Sequence, residues 1–145
     1  MIGPDPAPLT LAPEASPDEA TIRAISEGLS EYSAQFAPAT DWSPHWIVGR
    51  DTGGAVQAGV RYLIAYDWLF VHWLWVARPY RKQGIGSKLL MGAEAAAREK
   101  GCRGAYLDTF AFQAPEFYPR HGYREFARLD DFPPGHARIW LSKSL

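Results

Sequence analysis

The spacing of apolar positions divides the chain into helical and extended stretches. Ile22, Ile25, Leu29, Tyr32 and Phe36 recur at helical spacing and give one apolar face. Ser16 can cap this helix, Pro17 suits its first position, and Glu19, three after Ser16, completes a capping box. Ahead of it, residues 1–8 are Pro-rich and read as loose, and Leu9-Thr10-Leu11 reads as a short strand. The stretch from Pro38 to Pro44 breaks the pattern and reads as a loop.

Extended segments follow. His45 to Arg50 and Ala55 to Ala65 read as two strands joined at Asp51-Thr52-Gly53-Gly54, where glycines can take positive φ. Tyr66-Asp67 turns the chain again into Trp68–Val76, an aromatic and aliphatic run broken only by His72, which reads as a buried central strand. The helical period returns from Gly84 to Lys100. Leu89, Leu90, Ala93, Ala96 and Ala97 lie on one side, Glu94 and Arg98 are four apart, and Gly101 stands at the stop. Gly104 to Asp108 reads as a strand, Ala114 to His121 as a short helix, and Tyr123–Leu129 with Ala137–Lys143 as a final antiparallel pair. The order is strand, helix, three strands, helix, strand, helix, two strands. It predicts a single mixed α/β domain over 1–145 with one strand–loop–helix crossover.

Composition narrows the function. With 145 residues, 47% hydrophobic and 21% charged, the chain can bury a core without staples. A net charge of -1 gives no general attraction to nucleic acid or an anionic membrane, and no apolar run approaches membrane-spanning length. The single cysteine, Cys102, excludes an intrachain disulfide and a Cys-rich zinc site. It also fits a reducing compartment, so a cytoplasmic protein is expected, with no metal.

The chemistry concentrates in Val76 to Leu90, VARPYRKQGIGSKLL. A strand ends at Val76, a basic glycine-containing loop follows, and a helix begins near Gly84 to Gly86. The first turn of a helix carries unpaired N–H groups and partial positive charge, and Arg81 and Lys82 add cations beside it. Such a corner suits a pyrophosphate. The P-loop spacing fails, and the dinucleotide GxGxxG pattern fails because its third glycine position is Leu89.

Arg81-Lys82-Gln83-Gly84-Ile85-Gly86, preceded by Leu74-Trp75-Val76-Ala77-Arg78-Pro79, does resemble the Arg/Gln-x-x-Gly-x-Gly/Ala signature of the GCN5-related N-acetyltransferases. The resemblance continues through Leu107-Asp108-Thr109, Ala114-Pro115-Glu116-Phe117-Tyr118 and Gly122-Tyr123, and covers about residues 68 to 129. It departs at Ala111, where many relatives carry an asparagine that contacts the coenzyme arm. Gln113 is the substitute on offer.

The resemblance implies the acyl-CoA N-acyltransferase fold, a mostly antiparallel central sheet of about seven strands flanked by helices. It implies direct transfer of the acetyl group of acetyl-CoA to a primary amine of a small molecule or peptide. Relatives often dimerise, which leaves a homodimer open. The amides from Lys82 to Ser87, including those of Gln83, Gly84, Ile85 and Gly86, would hold the pyrophosphate with Arg81. Leu74 and Val76 would bind the pantetheine arm, the Leu74 amide would polarise the thioester carbonyl, and Tyr118 would protonate the leaving sulfur. Strand alternation sets Phe70, His72, Leu74 and Val76 on one face, so His72 is the first candidate base and Asp108 the second.

Each residue also has a plainer reading. Tyr118 is otherwise a core aromatic, His72 a satisfied core histidine, and Asp108 a loop cap. Trp42, Trp46, Trp68 and Trp73 are candidates to line an acceptor pocket, with core packing as the default for each. Cys102 reads as structural. A non-catalytic coenzyme-A-binding module is the alternative function. Neither the acceptor nor the acyl preference follows from the sequence.

Overall fold

A computed structural model describes residues 3–145 and divides the chain into two compact units, one ending at Ala39 and one spanning Thr40–Leu145. In the first unit, α1 runs Glu19–Ser33 and starts two residues later than the capping-box pattern predicts. Asp18 is the cap, and its carboxylate accepts the Thr21 N–H at 2.8 Å. A carboxylate outcompetes a neutral serine there because it also meets the positive end of the helix. Ile22, Ile25, Leu29 and Tyr32 line one exposed face, and Phe36, beyond the helix end, sets its ring 5.6 Å from that of Tyr32. Gly3 to Pro8 form neither helix nor strand, while residues 1 and 2 of the stretch expected to be loose lie outside the described residues.

The second unit holds a six-stranded sheet: β1 (His45–Arg50), β2 (Val56–Ala65), β3 (Trp68–Val76), β4 (Gly104–Phe110), β5 (Arg124–Asp130) and β6 (Ala137–Ser144), in the order β1-β2-β3-β4-β6-β5. The expected strand at Leu9–Leu11 does not form, which reduces the count of about seven to six. An isolated extended tripeptide without a ladder partner has nothing to hold it. Only β3 and β4 run parallel, and α2 (Ile85–Glu99) makes the crossover between them. At the β1–β2 turn Asp51 accepts the N–H groups of Gly53 and Ala55 at 3.0 and 2.9 Å. At the β2–β3 turn Tyr66 and Asp67 both take positive φ, 49° and 62°, the geometry of a tight hairpin.

The core lies between α2 and one face of the sheet. Leu89, Leu90, Ala93 and Ala97 pack on Val60, Leu69, Leu107 and Leu141. Cys102 is buried there, and burial pushes its thiol up, as befits a packing residue. Glu94 is buried in the same layer at 1% exposure, where it accepts from Tyr123 Oη at 3.1 Å and Lys143 Nζ at 2.8 Å. The short α3 (Phe117–Arg120) is only the core of the helix expected over Ala114 to His121.

Candidate active site

β3 and β4 pair in register only from Trp68↔Gly104 to Val71↔Leu107. Past Val71 the two parallel strands part, so the C-terminal half of β3 has a ladder partner on the β2 side alone. The Ala77 N–H bonds the Gln57 carbonyl at 2.7 Å, which fixes the phase of the β2–β3 ladder. Counting back by two, the N–H and C=O groups of Val76 and Leu74 point away from β2, into the opening. The Val76 carbonyl accepts the Arg81 Nε at 2.9 Å on that side. Backbone groups of Leu74 and Val76 therefore line a cleft where the sheet comes apart.

The cleft leads to the start of α2. Lys82 and Gly84 adopt positive φ, 60° and 79°, and bend the loop back on itself. Gln83 Nε2 closes it by donating to the Pro79 carbonyl at 3.1 Å. Gly84 is the N-cap and supplies no side-chain acceptor, so the amides of Ile85, Gly86 and Ser87 have no cap. A Cβ built on Gly84 meets no atom within 4 Å, and one on Gly86 comes 3.5 Å from the Phe117 ring, so the turn is open above and backed by α3. Ser87 Oγ lies 2.8 Å from His121 Nε2, which ties the first turn of α2 to the end of α3. Uncapped amides, an open glycine turn, the exposed cations Arg81 and Lys82 and a free strand edge make up a donor set that fits a pyrophosphate with an amide-bearing arm.

Tyr118, on α3, packs against the core, its ring edge-on to Phe117 at 5.1 Å and to Tyr123 at 5.9 Å. Burial, with the Asp108 carboxylate adding to it, pushes its hydroxyl up to about 12. The hydroxyl has no hydrogen-bond partner among the described residues and is not sealed from solvent.

The expected face of His72 is corrected. The ladder pairs Arg61 with Trp73 but Tyr62 with Val71, so His72 is the extra residue of a β-bulge. The bulge resets the alternation. Leu69, Val71, Leu74 and Val76 share the α2 face, while Phe70, His72 and Trp73 share the other. The run expected to be buried throughout is thus buried only in its first half, and Trp73 and Trp75 are 56% and 50% exposed. Burial and the Arg61 charge hold the His72 imidazole below its ordinary range, with Asp108 pulling weakly the other way. Arg61 Nη1 contacts His72 Nδ1, and its guanidinium lies 5.6 Å from the Trp46 ring and 5.2 Å from the Trp73 ring.

Asp108 neither caps a loop nor stands free, since Arg138 Nε donates to it at 2.8 Å and Nη2 joins the same oxygen. Gln113 Oε1 folds back onto the Phe110 N–H at 3.3 Å and is occupied locally. Trp42 and Trp46, expected in the core, are 57% and 54% exposed, and Trp68 is 38% exposed.

Arg61, His121 and Arg138 went unnoticed in the sequence. The first was within reach of it: a two-residue turn at Tyr66-Asp67 sets the β2–β3 register and brings Arg61 opposite His72, or opposite Trp73 once a bulge is allowed. The other two have no local signal.

A splayed parallel pair that ends at an uncapped glycine turn is the arrangement that the resemblance to the acyl-coenzyme-A-dependent acyltransferases implies. The Acetyltransferase (GNAT) family matches residues 12–123. Over 93 residues the chain is 44% identical to the blasticidin-S acetyltransferase of Streptomyces morookaense, covering 63% of this chain and 68% of that one. Over 126 residues it is 34% identical to acetyltransferase Atu2258 of Agrobacterium fabrum, covering 87% and 92%. A crystal structure of an acetyltransferase from Bacillus cereus superposes with a TM-score of 0.81 at 32% identity, over 92% of this chain and 98% of that one. The chain belongs to the GNAT family of acetyltransferases. As a member it uses acetyl-CoA as co-substrate and transfers the acetyl group to an amine. None of the helices among the described residues is long and apolar enough to cross a membrane.

Proposed function

We propose that this enzyme N-acetylates a primary amine on a small molecule, with the cleft between β3 and β4 as its catalytic centre. The observation that carries this reading is the free β3 edge at Leu74 and Val76, which runs to the uncapped turn at Gly84, with α3, the helix of Tyr118, packed behind that turn through Phe117. Bound acetyl-CoA would supply the activated thioester. Arg81, Lys82 and the amides of Gln83, Gly84, Ile85, Gly86 and Ser87 hold its diphosphate. Leu74 and Val76 bind the pantetheine amides as an added strand would.

The Leu74 N–H donates to the thioester oxygen as negative charge grows there. The amine nitrogen forms a bond to the carbonyl carbon, the carbon–sulfur bond breaks, and Tyr118 gives its proton to the sulfur and regains one from water. Because burial keeps its hydroxyl protonated, Tyr118 is always ready to donate at neutral pH. The amine enters as the free base, its own proton passing to water. A base role for His72 needs a bare ring nitrogen facing the amine, and Nδ1 is engaged by Arg61.

A small-molecule acceptor is supported by the Streptomyces relative, which is named for acetylating blasticidin S, and by the exposed aromatic face that carries Trp46, Trp73 and Trp75. We place the enzyme in the cytoplasm, where acetyl-CoA is made, and leave a homodimer to sedimentation. A screen of amines, peptides, nucleoside antibiotics and aminoglycosides, read by thiol release from acetyl-CoA, tests the proposal. Small-molecule amines should turn over faster than peptides. Turnover confined to peptides, or coenzyme binding with no turnover of any amine, would refute it.

A further inference from the structure

Resting on the acetyl-transfer reading above, we propose that Arg61 and His72 form an acceptor-recognition subsite for a carboxylate carried close to the reacting amine. Arg61 is a guanidinium held in place but not neutralised. Its guanidinium rests against the indoles of Trp46 and Trp73, its cross-strand neighbours, at 5.6 and 5.2 Å, while the two rings meet edge-on at 5.8 Å. Cation–π contact with two rings restrains the guanidinium and consumes none of its N–H donors. None of the ion pairs among the described residues includes Arg61. Its one side-chain hydrogen-bond partner among the described residues is the Nδ1 of His72.

That contact fixes the histidine tautomer. A guanidinium has five N–H donors and no acceptor, so Nδ1 must be the acceptor and the ring proton of neutral His72 must sit on Nε2. The free end of the imidazole is then a hydrogen-bond donor and not a base. Arg61 and the His72 Nε2–H together offer a cationic fork and a neutral donor, the complement of a carboxylate's lone pairs. Burial and the neighbouring cation keep the ring neutral, consistent with this arrangement.

Placement links the pair to the chemistry. His72 is the bulge residue, Trp73 follows it, and Leu74 is next, with its N–H in the cleft. An acceptor whose amine reaches Leu74 therefore passes its adjoining group over Arg61 and His72. A carboxylate held there would orient the amine and raise kcat/KM for acceptors that carry one.

Two measurements test the inference. The first is a long-range 1H–15N spectrum of the protein labelled with 15N-histidine, with His72→Gln identifying the His72 signals. The Nε2–H tautomer is expected. The Nδ1–H tautomer, or an even mixture, would overturn the assignment whether or not any acceptor turns over. The second compares matched acceptors, L-phenylalanine, L-phenylalaninamide and 2-phenylethylamine, by thiol release. The ratio of kcat/KM for the carboxylate over the amide should be about 10–100, as expected for a charge-assisted bond, and should fall toward one in Arg61→Gln. A ratio near one in the wild type, or one unchanged by the substitution, rules the subsite out. If none of the three turns over, titrating L-phenylalanine into the labelled protein decides the point: a shift of the His72 Nε2 signal supports the subsite, and no shift ends it. Acetyl-CoA binding, followed in parallel by calorimetry, separates failure of this subsite from failure of the acetyl-transfer reading.

Discussion

At the scale of single residues, local environment sets what each group can do. The acid role proposed for Tyr118 is supported by burial, which disfavours its phenolate, and the nearby Asp108 charge works in the same direction. With its hydroxyl at about 12 it remains protonated at every pH at which the fold is normally studied. The sign follows directly: raising an acid's pKa widens the range over which it can donate, so Tyr118 should contribute no falling limb to kcat between pH 7 and 10. Tyr118→Phe should lower kcat by ~10²-fold, with acetyl-CoA affinity nearly unchanged. A falling limb near pH 10 in the wild type that vanishes in the variant would contradict this account. Arg81 and Lys82 divide their labour differently. Lys82 offers only charge, so Lys82→Gln should weaken acetyl-CoA binding and flatten its salt dependence. Arg81 also ties the loop to the Val76 carbonyl. Arg81→Lys keeps the charge and loses that fork geometry, and calorimetry should show it well weaker than wild type.

At the scale of elements, the sheet makes the site by failing to stay paired. β3 is a central strand for its first four residues and an edge for the rest, and the bulge at His72 sits at the change. The pairing that remains is tight at its base. A methyl group on Gly104 would come 2.6 Å from the Trp68 ring and 3.1 Å from the Lys143 carbonyl, so the first parallel pair, Trp68↔Gly104, depends on a missing side chain. Gly104→Ala should cost roughly 1–3 kcal/mol, because the ring can move but the backbone oxygen cannot easily do so. Urea unfolding measures it, and a midpoint equal to wild type would show that the strand start is looser than described. α3 is held to α2 by the Ser87–His121 contact and by Phe117 against Gly86, which joins the helix of Tyr118 to the glycine turn.

At the scale of the whole molecule, one buried carboxylate links the layers. Glu94 of α2 joins Tyr123, at the entry to β5, and Lys143 of β6. Its third partner, Arg98, is half exposed and therefore worth little. Removing Glu94 leaves a buried hydroxyl and a partly buried ammonium without a partner. Glu94→Ala should cost about 3 kcal/mol or more, seen as a fall in Tm of roughly 10 °C, whereas Arg98→Ala should stay within about 1 kcal/mol. Equal effects from the two would mean that the network does not bear on stability.

Much of this was legible in the chain. Helical spacing located α2, two-residue and glycine turns located the hairpins, and the run from Val76 to Ser87 located the uncapped glycine turn that opens α2, because periodicity and positive-φ residues act over a few neighbours. Boundaries at α1 slipped, since Asp18 and Ser16 compete for one cap and only geometry decides. The parting of β3 from β4, the bulge that turns His72 to the other face, the Arg61 guanidinium against two tryptophans, and Arg138 on Asp108 were decided by tertiary structure. Each depends on which strand lies beside which, and strand order in a sheet is settled by packing across long loops, a quantity that no local pattern of residues contains.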